Sequence, residues 1–357
     1  MGASLRRTAA DAIVSRRLLA LSGAAPHNRG MSKAPKSQAR RVAQPTPRTP
    51  ASTGPSHAPA AVSPPRDWRE RARNYALLMR LDKPVGWLLL LWPTYWGLWA
   101  AAKGMPASSL LVVFSLGVVV MRSAGCVIND YADRWLDGQV KRTSQRPLVD
   151  GRVAPREALA VFGTLMLVAL VLVAFTNKLT IQLAFAGAAL AIAYPYLKRH
   201  THLPQLWLGA AFGWSVPMAY AAQKGEVDPI AWLLFLANVL WSTAYDTLYA
   251  MIDRDDDLKA GSKSTAILFG DLDLVAIGLI HAGFLYAMWL VGTRLQLGHA
   301  YTVGWCAALA IIVLQHWLAR SRDRDACFRA FKLAHWAGAA LWAGMAVDFA
   351  RATVAAV

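Results

Sequence analysis

Charged residues are scarce in this chain of 357 residues, at 17% of the sequence, and acids are scarcer than bases. Soluble globular domains carry about 25% charged and about 45–50% apolar residues, whereas this chain is 56% hydrophobic. The shortage of charge argues against an ordinary soluble enzyme. A net charge of +17 would suit nucleic acid, but so few charges in total do not, and we expect no nucleic-acid partner.

Cysteine is also scarce: Cys126, Cys306 and Cys327 stand alone, in neither paired nor metal-ligand spacing. This pattern argues against a disulfide scaffold and against a structural zinc site. Tryptophan, by contrast, is abundant, with 15 residues. Because indole rings settle at the boundary between water and lipid, this count favours a membrane protein.

The first 66 residues differ in composition from the rest. They hold nine of the eighteen prolines and eleven bases against one acid, Asp11, which gives +10 and leaves +7 for the remainder. Such a segment cannot bury enough apolar surface to offset its ordering entropy, so we expect a disordered tail over 1–66 and a membrane domain over 67–357. Three interpretations of the tail stay open: a basic segment beside anionic lipid, a mitochondrial transit peptide, or an over-extended gene start with Met31 or a later codon as the true beginning.

From residue 84 onward the chain is a series of apolar runs, each near the 20 helical residues that cross a bilayer core of about 30 Å. The pattern predicts an all-α polytopic membrane protein with nine transmembrane helices. Basic residues concentrate in every second loop, so the positive-inside rule places those loops and the N-terminus in the cytoplasm. The predicted spans cover residues 84–102, 108–127, 156–175, 179–197, 204–222, 229–249, 272–292, 300–319 and 333–353.

Two of the cytoplasmic loops, over 129–137 and 246–257, carry acids where a helix leaves the membrane. If each helix continues through its cluster, oxygen-bearing side chains four residues apart share one face. Adjacent carboxylates repel each other unless a cation lies between them, and Mg²⁺ prefers a few carboxylates together with substrate phosphates. Facing rows would therefore hold Mg²⁺ against a diphosphate. The first row comprises Asn129, Asp133 and Asp137, and the second comprises Asp253 and Asp257, with Tyr249 one turn earlier.

Bases follow both clusters, namely Lys141, Arg142 and Arg146 in one loop and Lys259 and Lys263 in the other. Each feature alone has a plainer interpretation, since a DxxxD pair is typical of a solvated helix face and a single base of a topology signal. A transporter would place such charges near the bilayer midplane on broken helices. Acids at span ends on one membrane side, each set followed by bases, favour an enzyme that binds a diphosphate.

Two long motifs resemble the signature regions of the UbiA-type membrane prenyltransferases. They are NDYADRWLDGQVKRTSQRPL over 129–148 and YDTLYAMIDRDDDLKAGSKSTAILFG over 245–270. The resemblance covers about residues 72–350 and is strongest to the bacterial members that prenylate 4-hydroxybenzoate in ubiquinone synthesis. Further matching stretches lie at 79–99, 121–130, 194–222 and 324–336.

The resemblance implies a nine-helix bundle around a central cavity, with both acidic loops capping it on the cytoplasmic side of a bacterial inner membrane. A mitochondrial inner membrane is the alternative location. It also implies Mg²⁺-dependent transfer of a polyprenyl group from polyprenyl diphosphate to the ring of 4-hydroxybenzoate, ortho to the hydroxyl. A sister prenyltransferase with another aromatic acceptor is the second candidate, and the lipid bilayer is an expected partner of either.

Residue by residue, the resemblance implies that Asn129, Asp133, Asp137, Asp253 and Asp257 hold Mg²⁺ and the diphosphate. The implied diphosphate and substrate ligands are Arg142, Arg146, Arg199, Lys263, Arg80 and Tyr249. We expect Arg199 to bind the acceptor carboxylate, because the guanidinium fork matches a carboxylate in two places. The ring proton is expected to pass to Asp253 or Asp246.

Overall fold

A computed structural model of the chain describes residues 67–138, 143–197 and 200–355, and the predicted tail over 1–66 lies outside them. The described residues form twelve α-helices and one 3₁₀ turn, Gly270–Leu272, without a β-strand. In chain order the helices are α1 (Trp68–Leu78), α2 (Pro84–Ala102), α3 (Ser108–Asp137), α4 (Pro155–Ala174), α5 (Lys178–Leu197), α6 (Pro204–Gly213), α7 (Ser215–Lys224), α8 (Pro229–Ala260), α9 (Thr265–Phe269), α10 (Asp273–Arg294), α11 (His299–Ala319) and α12 (Arg324–Ala355).

Every apolar run predicted as a span is helical, which confirms the all-α fold class. Among the described residues, four helical segments are long and apolar enough to cross a membrane, so the count of nine spans stays a prediction. Helix α2 illustrates why a largely apolar helix can miss this criterion of length and hydropathy. Its 19 residues include tryptophans, a tyrosine and two prolines, which lower its mean hydropathy. The four segments are Ser108–Trp135, Pro155–Ala174, Thr265–Arg294 and His299–Ala319.

Two helices run past the predicted span ends and carry the acidic clusters. Helix α3 continues to Asp137 and α8 to Ala260, so each meets the condition under which the residues of its cluster share one face. Helix α8 then ends before Gly261, whose φ of 70° lies in the left-handed region. The Gly261 backbone N–H donates a hydrogen bond to a carbonyl of the last helical turn. Glycine adopts this conformation without a steric penalty, which explains the sharp end of the second cluster.

The fifth predicted span, 204–222, is one run in the sequence but two helices in the structure. Helix α6 ends at Gly213 and α7 begins at Ser215. Pro217 accounts for the break, because it has no N–H to donate and its ring crowds the carbonyl four residues earlier. At the joint, Trp214 donates its indole N–H to the Leu183 carbonyl of α5 at 2.7 Å. The break therefore serves to attach this pair of helices to α5.

Aromatic side chains form the centre of the buried core. Trp96 of α2, Trp241 of α8 and Phe284 of α10 are fully buried, with ring centroids 5.4 to 6.2 Å apart. Helix α4 lies at the periphery of the bundle: only 6% of its most apolar stretch is buried inside the protein. Lipid is the environment that suits such an exposed apolar surface.

Helices α11 and α12 pack closely through glycine. A Cβ added at Gly304 would collide with the Ala340 carbonyl, and one added at Gly344 would lie 2.7 Å from the Ala300 carbonyl. Small residues that allow backbones to approach are characteristic of helix pairs in membranes.

We expect Gly304→Ala to destabilise the protein by about 1–3 kcal/mol, because the new methyl group must push two backbones apart. The measurement is the midpoint of thermal unfolding in detergent. Gly163→Ala on α4 is the matched control, since its Cβ would meet nothing within 4 Å. Equal midpoints for the two variants would contradict the close approach of α11 and α12.

Candidate active site

The first acidic row lies at the C-terminal end of α3. Asp133 and Asp137 are 2% and 7% exposed, and both follow Asn129 at intervals of one helical turn. The Asn129 Oδ1 atom is buried and accepts no hydrogen bond from any described residue. A buried carbonyl oxygen without a donor is costly, and it is also a suitable ligand for a hard cation.

The second row lies on α8 and begins deeper in the bundle. Asp246, Tyr249, Asp253 and Asp257 recur at intervals of three or four residues, so they share one helix face. Asp253 is buried. The ring of Tyr249 packs against Phe331 of α12, with centroids 4.7 Å apart. Aromatic packing against α12 thus holds the Tyr249 ring of this row in place.

The phenol of Tyr194, on α5, lies within electrostatic range of both rows. This phenol interacts electrostatically with Asp133 of α3 and with Asp246 and Tyr249 of α8. Three helices that are distant in sequence therefore contribute acidic or phenolic groups to one place. Within 67–138, 143–197 and 200–355, however, no three His, Cys, Asp or Glu side chains are close enough to hold a metal ion by themselves.

Asp130, between the predicted ligands of α3, is ion-paired with two arginines. It is 1% exposed, and Arg80 donates to its two oxygens at 2.9 and 3.0 Å. Arg146 donates to Asp130 Oδ1 at 2.8 Å and also to Asp137. Two of the predicted substrate ligands thus lie at the site, where Arg80 pairs with Asp130 and Arg146 bridges Asp130 and Asp137. The sequence analysis did not select Asp130, because its position does not fit the four-residue spacing of the row.

The remaining predicted bases are only partly described. Arg142 and Arg199 lie outside the described residues. Lys263 donates to the His200 carbonyl at 3.5 Å, which places the loop after α8 beside the loop between α5 and α6.

Arg122 is a residue of the site that the sequence analysis did not select. Its guanidinium interacts electrostatically with Asp246 and Tyr194 and stands over the ring of Phe212, 5.4 Å from the centroid. Its Nε atom is buried and donates to no described residue. The sequence did contain a signal, since Arg122 is a lone charge inside the apolar run 108–127, and a charge in such a run marks a functional site by default.

An apolar cavity of about 230 Å³ lies beside this polar cluster. Phe212, which contacts Arg122, also lines the cavity, and the other walls come from α2 to α7. The site therefore joins a charged end to an apolar space, as an amphiphilic substrate would require.

Sequence similarity to known proteins extends over most of the chain. A family model described as the UbiA prenyltransferase family matches residues 90–339. The 4-hydroxybenzoate octaprenyltransferases of Xylella fastidiosa (strain M23) and Marinobacter nauticus are 57% and 54% identical over 280 and 290 residues, which cover 78% and 81% of this chain and 94% and 99% of theirs.

Two solved structures share the fold. The apo structure of a UbiA homolog from Aeropyrum pernix K1 has a TM-score of 0.66 and 27% identity, and the match covers 73% of this chain and 97% of that one. A UbiA homolog from Archaeoglobus fulgidus, bound to GPP and Mg²⁺, has a TM-score of 0.58 and 18% identity over 76% of this chain and 99% of its own.

We expect Asp130→Asn to destabilise the protein by about 3 kcal/mol, because it leaves two arginines without a buried counter-charge. The midpoint of thermal unfolding in detergent measures the effect. Asp150→Asn is the matched control, since the Asp150–Arg152 pair is 26% and 30% exposed and should be worth less than about 1 kcal/mol. If the two variants unfold together, the buried pairing does not stabilise α3.

Proposed function

This chain belongs to the UbiA prenyltransferase family, and on that premise we propose that it transfers a polyprenyl group from polyprenyl diphosphate to 4-hydroxybenzoate, in ubiquinone biosynthesis at a bacterial inner membrane. The names of the relatives support the acceptor. The structural observation that carries the proposal is that the Tyr194 phenol lies within electrostatic range of Asp133 in the α3 row and of Asp246 in the α8 row.

The donor set at the site fits magnesium. Its ligands would be the carboxylates of Asp133, Asp137, Asp253 and Asp257 with the buried Oδ1 atom of Asn129, which are all oxygens. The described residues hold no three-carboxylate cage, and this suits an ion that is completed by substrate phosphates. When bound, Mg²⁺ supplies the positive charge that makes the diphosphate a better leaving group.

Cationic side chains would bind the rest of the diphosphate. Arg146 already lies between Asp130 and Asp137, so its guanidinium is held where phosphate oxygens would arrive. Arg80 is held beside it by Asp130. Lys263 would approach from the opposite loop, together with Arg142 and Arg199, which belong to the same proposal by sequence position. Charge-assisted hydrogen bonds from such groups are about twice as strong as neutral ones.

The acceptor would lie deeper, between Arg122 and Asp246. The guanidinium of Arg122 has a buried donor to offer, and a carboxylate is the group that a guanidinium fork binds best. We propose Arg122 as a second candidate beside Arg199 for the ligand of the 4-hydroxybenzoate carboxylate. Phe212 would hold the Arg122 guanidinium in place through its ring face.

The chemistry then follows from the placement of charge. The bond between the prenyl carbon and the diphosphate oxygen breaks, and the phenol rings of Tyr194 and Tyr249 stabilise the allylic cation through their faces. The ring carbon ortho to the acceptor hydroxyl forms the new carbon–carbon bond, and its proton passes to Asp246 or Asp253. The apolar cavity lined by Phe212 would keep water from the cation and accept prenyl carbon.

We expect Asp133→Asn and Asp253→Asn each to lower the turnover of polyprenyl diphosphate and 4-hydroxybenzoate by about 100-fold or more, since even second-shell partners of a metal are worth about 10–100-fold. The assay is mass spectrometry of the lipid product together with release of inorganic diphosphate. Asp255→Asn is the matched control, because its side chain is 75% exposed.

Retained turnover in Asp133→Asn would contradict the metal assignment. Prenylation of another aromatic acceptor in preference to 4-hydroxybenzoate would indicate a sister enzyme. If no acceptor gives product and no diphosphate is released, the proposed function is wrong.

A carboxylate ligand can be identified by its effect on acceptor choice. If Arg122 binds the carboxylate, Arg122→Lys should lower kcat/KM for 4-hydroxybenzoate about 10-fold or more, because a hydrogen bond between charged groups is worth about 1.5–3 kcal/mol. The neutral analogue 4-hydroxybenzamide should be affected less. Arg199→Lys is measured in parallel, and unchanged selectivity in the Arg122 variant would assign the carboxylate elsewhere.

A further inference from the structure

An ion cluster outside the proposed site ties the second acidic row to the rest of the bundle. Its centre is Asp273, the first residue of α10, which is 0% exposed. Arg322, in the link between α11 and α12, donates from Nε and Nη2 to the Asp273 carboxylate at 2.9 to 3.2 Å. Arg254 of α8 donates to the same carboxylate. A carboxylate so deeply buried is stable because two guanidinium groups compensate its charge.

Arg254 stands directly between the residues of the proposed metal row. It follows Asp253 and precedes Asp257 by three positions on α8. Successive residues of a helix point about 100° apart. The ionic hydrogen bond from Arg254 to Asp273 therefore also constrains the direction in which the neighbouring Asp253 points. The Arg254 Nε atom is buried and donates to no described residue, so among those residues this side chain is held through its Nη2.

The other charges of this segment are also occupied away from the row. Arg324, at the start of α12, contacts Asp255 at 3.7 Å and donates to Asp256 at 3.1 Å. The segment 253–257 thus divides its charges, with Arg254, Asp255 and Asp256 paired to groups on α10 to α12. Asp253 and Asp257 lie on the helix face that carries Tyr249, and Asp253 is also within electrostatic range of Arg324.

Apolar packing alone would not determine the rotation of α8 at this end. The cluster beneath the ion pairs includes Leu248, Met251 and Ile252 of α8 against Ile277 and Ala330, and such contacts are not directional. An ionic hydrogen bond is directional. The carboxylates stand about 5 Å from the helix axis, so a roll of about 20° would move each of them by about 2 Å. Magnesium accepts oxygen ligands only near 2.0–2.1 Å in near-octahedral geometry, so a roll of that size would matter.

We propose that Asp273 is a positioning residue: through Arg254 it fixes the rotation of the cytoplasmic end of α8, so that Asp253 and Asp257 point towards the acidic row of α3. This inference rests on the proposed metal role of Asp253 and Asp257. Asp273 itself lies behind the row and touches neither metal nor substrate. Its loss is therefore expected to act on metal binding and to leave acceptor binding unchanged.

The test is Asp273→Asn in the purified full chain, which keeps the size of the side chain and removes its charge. We expect Mn²⁺ binding, measured by electron paramagnetic resonance in the presence of inorganic diphosphate, to weaken about 10–100-fold, as for other partners of metal ligands. The Mg²⁺ concentration for half-maximal turnover should rise by the same factor. At saturating Mg²⁺, the KM for 4-hydroxybenzoate should equal that of the wild type.

Asp271→Asn is the matched control, because the Asp271 side chain is exposed two residues away and the substitution keeps the carbonyl that accepts from Arg322. It should bind Mn²⁺ like the wild type. Arg254→Gln should weaken Mn²⁺ binding as much as Asp273→Asn does, and the double variant should be no weaker than either single variant. If Asp273→Asn does not fold, Arg254→Lys and Arg254→Gln carry the test by the same measurement.

Wild-type Mn²⁺ affinity in Asp273→Asn or in both Arg254 variants would overturn the inference. So would additive losses in the double variant, or a loss of thermal stability without any change in Mn²⁺ affinity. Asp253→Asn, measured alongside, separates the two proposals. If it too binds Mn²⁺ like the wild type, the metal role in the proposed function fails; if it loses binding while Asp273→Asn does not, only the positioning role of Asp273 fails.

Discussion

Burial of carboxylates at one end of an apolar bundle is the constraint on which the rest of the structure depends. Asp130, Asp133, Asp253 and Asp273 are all buried, and each would be expensive without a compensating cation or hydrogen bond. The protein supplies arginines for Asp130 and Asp273. The arrangement of the loops at this end of the bundle follows, because those arginines come from the α1–α2, α3–α4 and α11–α12 connections as well as from α8.

The charges of this end serve two different purposes. One set, in the rows of α3 and α8 with Arg146, is the proposed site of the diphosphate and its metal. In our proposal the other set orients the first, because Asp273 pairs with Arg254 beside Asp253 and is itself held by Arg322. Both sets use the same side-chain types, so composition cannot separate them. Their separation depends on which helix face each residue occupies and on what stands opposite that face.

Much of the fold was predictable because its determinants are local. Apolar runs of suitable length predicted the helices, and the four-residue spacing of Asn129, Asp133 and Asp137 required α3 to continue past the predicted span end at residue 127, which it does. The break at Trp214 was missed, although Pro217 was its visible cause. Arg122 and Asp130 were missed for another reason: the importance of each comes from partners on other helices, such as Asp246 and Arg80.

The sequence by itself determined the class of protein, the helices, the two acidic rows and the chemistry that oxygen ligands and bases can support, because periodicity and residue type are properties of short segments. Only the tertiary structure decided which charges are paired and which face the site. Arg146 was predicted as a substrate ligand and is also a bridge between Asp130 and Asp137. Asp273, with no motif around it, proved to be the fully buried carboxylate at the centre of the ion cluster with Arg254 and Arg322. An ion pair joins residues far apart in the chain, so it forms only where folding has brought their helices together.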